Sequence, residues 1–198
     1  MQASFQLTDE QLVKIVREQD QELYSHIIKR YQTKLSHYLR KFIYDSDELE
    51  DVLQAVFIKT YKNLYGFNID KKFSSWIYRI AHNEAINHIR KNSKIQLPLD
   101  EVEYKIIDEN INLNNQVDNG LLKQKISQSL NAVKLKYREP LILFYFEQKS
   151  YQEISDILRI PKSTVGTLIR RGKLILKNHI LENNPTKKRV KSYLEAVN

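Results

Sequence analysis

The chain has 198 residues, of which 41% are hydrophobic and 28% charged, and its net charge is +8. This size and composition suit a globular protein of one large or two small domains. Disulfides and thiolate metal sites are excluded because there is no cysteine, and no apolar run reaches the roughly 20 residues of a membrane span. The polar start is not that of a signal peptide, so we expect a cytoplasmic protein with no membrane insertion.

Helical periodicity runs through residues 8–92. Thr8 is predicted to cap the first helix, because Gln11, three residues further on, can complete a capping box. This helix should end near Glu18. A second helix is predicted over residues 21–44, where apolar residues recur at helical spacing.

The third predicted helix begins at the acidic run of residues 45–48 and ends near Gly66. Carboxylates are favourable at the positive end of the helix dipole, and glycine favours a helix stop. Apolar residues recur along it at the spacing of one buried face: Leu49, Val52, Leu53, Val56 and Phe57. We therefore expect an amphipathic helix with an acidic start.

The fourth helix is predicted to begin around residues 72–75 and to have one apolar and one polar face. The apolar residues of the buried face are Phe73, Ile77, Ile80, Ala81, Ala85 and Ile89. The polar stripe consists of Lys72, Trp76, Arg79, Asn83, Asn87 and Arg90. Such side chains can follow a phosphate backbone, read base edges and stack on unpaired bases. Trp76 can equally be a core residue, with the amides as ordinary surface.

Charge is distributed unevenly after this helix. Residues 71–94 carry a local charge of +5, residues 95–120 carry −5, and residues 162–191 carry +8. Two basic blocks suggest two polyanion-binding surfaces, although basic helices can also be plain solvated surface. Pro98, the acids and several asparagines predict an acidic linker over residues 93–119.

The domain boundaries follow from this pattern. We expect a helical domain over residues 1–92, the acidic linker over 93–119, a second helical domain over 120–182 and a basic tail over 183–198.

Helices are predicted to resume at residues 121–133 and 137–147. Ser150 and Glu153 then form a capping box for a short helix, and Pro161 opens a long one. Two helices joined by a tight turn fit a helix-turn-helix whose second helix enters the major groove. Helical hairpins are also common core elements, but the basic surplus on the second helix favours DNA.

Three segments resemble a known family. The run DELEDVLQAVF at residues 47–57 resembles the second conserved segment of region 2 of bacterial sigma factors. The run FSSWIYRIAHN at residues 73–83 is similar to the segment after it. The run YQEISDILRIPKSTVGTLIRRGK at residues 151–173 resembles sigma region 4. The chain thus resembles the compact extracytoplasmic-function class, or a close relative such as a competence-type sigma factor.

The resemblance implies an all-α fold of two small helical domains, a region 2 bundle and a region 4 helix-turn-helix, joined by an acidic flexible linker. It implies an alternative sigma factor that binds core RNA polymerase and directs promoter recognition, DNA melting and transcription initiation. Region 2 would read and open the minus-ten element, and region 4 would read the minus-thirty-five element as duplex. An anti-sigma factor holds many such proteins, and none of these functions needs a cofactor.

The resemblance also assigns residues to these surfaces. Polymerase binding would fall on Asp47, Glu50, Asp51, Gln54 and Phe57. Contact with the minus-ten DNA would fall on Lys72, Trp76, Arg79, Asn83, Asn87, Arg90 and Lys91. Contact with the minus-thirty-five DNA would fall on Lys162, Ser163, Thr164, Gly166, Thr167, Arg170, Arg171 and Lys173. The loop at residues 66–71 corresponds to the family's base-capturing loop.

Two positions depart from the family pattern. Ala55 stands where the family usually has an acid that contacts polymerase. Gly166 stands where many relatives carry a basic residue in the recognition helix. We therefore expect a different upstream base preference, with Arg170 and Arg171 making more of the contact.

Two other classes of protein are alternatives. One is a stand-alone helix-turn-helix regulator that binds duplex DNA without polymerase. The other is an enzyme, but the five histidines show no metal-ligand spacing, and no glycine-rich phosphate loop or nucleophile elbow occurs. We therefore expect a protein that is not an enzyme and holds no metal.

Overall fold

The computed structural model describes residues 7–92, 129–130 and 133–182, apart from the side chains of residues 92, 181 and 182. The predicted linker over 93–119 and the basic tail over 183–198 lie outside the described residues, as does most of the helix predicted over 121–133. Within the described part every regular element is helical, which confirms the all-α class. The chain divides into two compact units, the first mainly of residues 1–94 and the second mainly of those that follow.

Residues 7–92, the described part of the first unit's main segment, form four α-helices and two 3-10 turns. The helices are α1 (Asp9–Glu18), α2 (Tyr24–Leu39), α3 (Ser46–Lys62) and α4 (Phe73–Asn92). The 3-10 turns are Gln21–Leu23, before α2, and Leu64–Gly66, after α3.

Side chains cap the helices where the sequence predicts. The backbone N–H of Thr8 donates to Gln11 Oε1 over 2.9 Å, and the N–H of Gln11 donates to Thr8 Oγ1 over 3.2 Å. At the start of α3, Asp45 Oδ1 accepts from the N–H groups of Asp47 and Glu48 at 2.9 and 3.0 Å. These caps satisfy backbone donors that no helical carbonyl can reach, and so they fix both helix starts.

The second helix is shorter than the prediction of residues 21–44. Asp20 accepts a hydrogen bond from the N–H of Glu22, and this starts a 3-10 turn instead of the helix. After Leu39 the chain tightens, with the N–H of Phe42 donating to Leu39 O at 2.8 Å. Phe42 and Ile43 are both buried, so leaving the helix brings two more apolar side chains into the core.

All four helices contribute to the core of the first unit. On α4 the predicted buried face is confirmed except at Ile80, which is half-buried. Tyr78 and Ile86 are buried in addition, and the ring of Tyr78 packs 5.3 Å from that of Tyr38 on α2. The buried face is therefore wider than the periodicity indicated, and the opposite side of α4 remains for solvent.

After residue 133 the chain forms α5 (Leu135–Tyr145), α6 (Tyr151–Leu158) and α7 (Lys162–Glu182). The predicted bounds for α5 were residues 137–147, and both ends lie two residues earlier. Gln148 just after this helix has a φ of 52°, a left-handed conformation that ends a helix. None of the described helices is long and apolar enough to cross a membrane.

Candidate protein and nucleic-acid interfaces

The polar stripe predicted on α4 lies on the solvent side of that helix. Lys72, Asn83, Asn87, Arg90 and Lys91 are exposed. Trp76 and Arg79 are half-buried, so they can contact a ligand while their inner atoms pack on the protein. The seven predicted positions thus supply cations, amides and one aromatic ring along α4 and the residue before it.

Trp76 belongs both to the stripe and to an aromatic cluster. Its ring lies 5.2 Å from that of Phe67 and 5.6 Å from that of Phe73. Phe67 and Phe73 are themselves 5.4 Å apart and nearly perpendicular. Trp76 therefore packs against the protein with part of its side chain and presents the rest to solvent.

The loop at residues 66–71 connects α3 to α4 beside this cluster. Gly66 is exposed, and a Cβ placed on it would meet nothing within 4 Å. The side chain of Asn68 accepts from the N–H of Asp70 at 2.9 Å, and the N–H of Lys71 donates to Asn68 O at 3.0 Å. The loop is therefore a compact turn with Phe67 buried at its base and an open surface at Gly66.

Sequence reasoning assigned no function to α1, but two of its residues contact the ends of this loop. The guanidinium of Arg17 donates to the carbonyls of Leu64 and Phe67. Glu10 accepts from the N–H of Phe73 at 2.9 Å. These partners are 47 to 63 residues apart in sequence, so no local pattern could have indicated them.

A groove of about 780 Å³ runs between α2 and α3. Four of the five residues predicted to bind a protein partner line it: Glu50, Asp51, Gln54 and Phe57. Asp47 is exposed at the start of α3 but does not line the groove. Ala55, the departure from the family pattern, is half-buried and also lies outside the lining.

The floor of this groove is apolar and fixed in place. Tyr24 donates its hydroxyl to Phe57 O at 2.7 Å, and burial raises the pKa of this hydroxyl, so that it remains a donor. The rings of Tyr24 and Tyr61 meet edge to face at 4.9 Å. Ile58 is 47% exposed and Tyr61 40% exposed, so the groove presents apolar surface to solvent. Phe57 is only 8% exposed, so it acts mainly as floor and little as a contact surface.

In the second unit, α6 and α7 form the predicted hairpin. The Ser150–Glu153 capping box is present, with the N–H of Ser150 donating to Glu153 Oε2 at 2.9 Å. Val165 and Ile169 are buried and anchor α7, whereas Leu168 is half-buried. The anchoring side chains thus fix which face of α7 points outward.

Most residues predicted to contact duplex DNA lie on that outward face. The exposed ones are Lys162, Ser163, Thr167, Arg170 and Arg171, and the half-buried ones are Thr164, Gly166 and Lys173. Gly166 faces Tyr151, because a Cβ placed there would lie 3.4 Å from Tyr151 Cε2. A longer side chain at this position would have to pass along the tyrosine ring before it reached solvent.

Comparison with known proteins shows the family. Residues 27–95 match Sigma-70 region 2, and residues 123–176 match Sigma-70, region 4. Together these matches cover more than half of the chain, which therefore belongs to the sigma-70 family of transcription initiation factors. Helix α1 precedes the region 2 match.

The class within the family follows from a curated relative. The chain is 32% identical over 176 residues to the ECF RNA polymerase sigma factor SigW of Bacillus subtilis (strain 168), covering 85% of this chain and 94% of the relative. The protein is thus an extracytoplasmic-function, or ECF, sigma factor.

Two solved structures share the fold. One is CnrH in complex with the cytosolic domain of CnrY, with a TM-score of 0.68 and 18% identity over 89% of this chain and 99% of that one. The other is the sigma factor RpoE in complex with the anti-sigma factor NepR from Bartonella quintana, with a TM-score of 0.61 and 17% identity over 81% and 98%.

Proposed function

We propose that this sigma factor binds core RNA polymerase through the α2–α3 groove, opens and reads the minus-ten element with α4 and the adjoining loop, and reads the minus-thirty-five element with α7. The observation that carries the proposal is the row of exposed basic and amide side chains on α4 beside the half-buried Trp76. Such a row suits DNA that is double-stranded upstream and unpaired downstream. Cations bind the phosphates, and an aromatic face stacks on an unpaired base.

The groove suits a helix of the polymerase clamp. Its floor is apolar at Tyr24, Leu53 and Ile58, and its rim is acidic at Glu50 and Asp51. A partner helix with apolar residues flanked by cations would bury the floor and pair with the rim. The large exposed fractions of Ile58 and Tyr61 are explained if a partner covers them.

The outward face of α7 suits duplex DNA. Arg170 and Arg171 are exposed, and arginine can bond guanine bidentately in the major groove. Ser163 and Thr167 are exposed one turn apart near the helix start, where hydroxyls commonly contact phosphates. With Gly166 facing Tyr151, base selection falls on the two arginines.

We further infer that the protein works in the cytoplasm, where polymerase is found, and has no catalytic activity of its own. The same proposal includes contacts of Asp47 with polymerase, of Lys91 with the minus-ten element and of Lys173 with the minus-thirty-five element. It also includes a first domain that ends at residue 92 and a second that begins at residue 120. A partner of the anti-sigma class would compete for the groove or the DNA-binding surfaces.

The experiment that tests this proposal is transcription in vitro with core polymerase and genomic DNA, followed by mapping of the start sites. A defined set of starts that requires the protein supports it. The alternative, a stand-alone helix-turn-helix regulator, is separated by a gel shift on the mapped promoters with and without core polymerase. Tight sequence-specific binding without core polymerase would favour the regulator.

A further inference from the structure

Helix α1 holds both ends of the Gly66–Lys71 loop. Its residues Glu10 and Arg17 are seven positions apart, so they lie two turns apart on one face, separated by about 10 Å along the axis. Arg17 contacts the chain where it enters the loop, and Glu10 contacts it where it leaves. We infer that α1 holds the loop in one conformation and that Arg17 is a positioning residue for base capture. This inference rests on the function proposed above.

The Arg17 end is held by several contacts at once. Its guanidinium donates to Leu64 O and, at 2.5 Å, to Phe67 O. The same guanidinium carbon lies 5.8 Å from the centre of the Phe67 ring. In the other direction, the Tyr65 hydroxyl donates to Arg17 O at 2.9 Å. Three hydrogen bonds and one cation–π contact with Arg17 therefore hold the backbone from residue 64 to residue 67.

This fixed backbone determines where the aromatic cluster lies. Phe67 packs on Trp76, so a shift of the Phe67 backbone would move the surface on which a captured base could stack. Both carbonyls accept from the same nitrogen, Nη2, and a lysine side chain, which is one atom shorter, would fall short of them. A planar guanidinium also presents a face to the Phe67 ring, whereas an ammonium is a point donor. The Arg17 side chain is therefore suited to fixing the loop stem and is not interchangeable with lysine.

The Glu10 end fixes the start of α4. Its carboxylate accepts from the N–H of Phe73, the first residue of that helix, at 2.9 Å. A carboxylate at this place satisfies a backbone donor that the helix cannot satisfy itself. The loop is therefore held between two fixed points, and capturing a base does not require it to become ordered first.

The test uses holoenzyme assembled from core polymerase and the full chain. Two fluorescent single-stranded oligonucleotides carry the non-template strand of a mapped minus-ten element. One is intact, and the other has an abasic site where the base contributes most to binding by the unmodified holoenzyme. Stacking contributes about 5- to 150-fold in affinity per base. We expect Arg17→Lys to bind the intact strand about tenfold more weakly and the abasic strand nearly as well as the unmodified protein does.

Glu10 supplies the second pair of variants. Glu10→Gln keeps an oxygen that can accept from the N–H of Phe73, so we expect near-normal binding of both strands. Glu10→Ala removes that acceptor and should lose affinity for the intact strand selectively. Arg40→Lys is the matched control for Arg17→Lys, because Arg40 is exposed and lies outside the loop contacts. If Arg17→Lys does not fold, the two Glu10 variants carry the test.

The outcomes separate this inference from the proposal on which it rests. Equal losses on the intact and abasic strands would show that Arg17 only stabilises the fold, and this would overturn the positioning role. An abasic penalty that Arg17→Lys and Glu10→Ala leave unchanged would overturn it too, while base capture stands. If no abasic position weakens binding by the unmodified holoenzyme, base capture itself fails, and the positioning role fails with it.

Discussion

Gly172 in α7 lies directly against Leu141 in α5. A Cβ placed on Gly172 would lie 2.9 Å from Leu141 Cδ1 and 3.1 Å from the carbonyl oxygen of Tyr137. The first of these distances is too short for any real contact, and a backbone carbonyl cannot easily move aside. The close approach of two helices therefore favours glycine at this position, although glycine costs about 1 kcal/mol within a helix.

We predict that Gly172→Ala destabilises the second unit, against the helix propensity of alanine. Overpacking a tight contact costs about 1–3 kcal/mol, more than the propensity gain. Hydrogen exchange of the peptide covering α5, followed by mass spectrometry, measures the effect in this unit. Gly166→Ala is the matched control in the same helix, where the nearest atom would lie 3.4 Å away. Slower exchange in Gly172→Ala than in the unmodified protein would contradict the packing argument.

A second prediction concerns the groove between α2 and α3. Ile58→Lys should weaken binding to core polymerase by at least tenfold, because it places a charge on the apolar floor. Ile69→Lys is the control: it changes an isoleucine of similar exposure, 43% against 47%, that does not line the groove. Affinity for core polymerase is measured by fluorescence anisotropy of labelled protein. Equal effects of the two substitutions would show that the groove is not the docking site.

A third prediction concerns Asn83 on α4. Because this side chain is exposed, Asn83→Ala should change the stability of the protein by no more than about 0.5 kcal/mol. It should nevertheless weaken discrimination between intact and substituted minus-ten elements, which in vitro transcription from competing templates measures. Affinity for core polymerase should be unchanged. A loss of that affinity would show that Asn83 supports the fold or contacts polymerase.

The sequence predicted those features that depend on local pattern. The capping pairs Thr8–Gln11 and Ser150–Glu153 are three residues apart, and the apolar rows of α3 and α4 recur within single helices. Each can be inferred from neighbouring residues, and each is present in the structure, except that Leu53 and Ile80 of the two apolar rows are only half-buried. The break after Leu39 was missed because helical periodicity continues past it, and burial of Phe42 and Ile43 decided where the helix ends.

Surfaces that lie on a single helix could be predicted from the sequence, whereas sites formed by residues distant in sequence could not. The exposed stripe on α4 and the outward face of α7 follow from periodicity. The groove does not, because its floor combines residues of two helices, such as Tyr24 and Phe57. The contacts of Arg17 and Glu10 with the loop join parts of the chain that only the folded structure brings together, and α1 lies before the residues that match region 2.

A fourth prediction concerns the recognition helix. Arg171→Ala should cost about 1–3 kcal/mol of binding at the minus-thirty-five element. Footprinting of holoenzyme on a mapped promoter should show weaker protection upstream and unchanged protection at the minus-ten element. Arg40→Ala removes the same charge from the first unit and should leave the upstream footprint unchanged. Upstream protection that survives Arg171→Ala would refute the role of this arginine.

The last prediction concerns pH and His82. Burial lowers the pKa of His82 to about 4, and its Nδ1 lies 3.3 Å from the hydroxyl of the buried Tyr38. The folded state therefore holds the neutral imidazole, whereas the unfolded chain takes up a proton near pH 6.5. This contribution to stability is complete above pH 6.5 and is lost as the pH falls from 6.5 toward 4. Between pH 7.5 and pH 5 it amounts to about 2 kcal/mol.

Trp76 is the only tryptophan and lies on the same helix as His82, so its fluorescence reports urea unfolding of the first unit. In His82→Gln the stability lost between pH 7.5 and pH 5 should be smaller than in the unmodified protein by about 2 kcal/mol, because glutamine does not titrate. His37→Gln, at an exposed position on α2, should leave the loss unchanged. If His82→Gln loses as much stability on acidification as the unmodified protein does, another group carries the pH dependence.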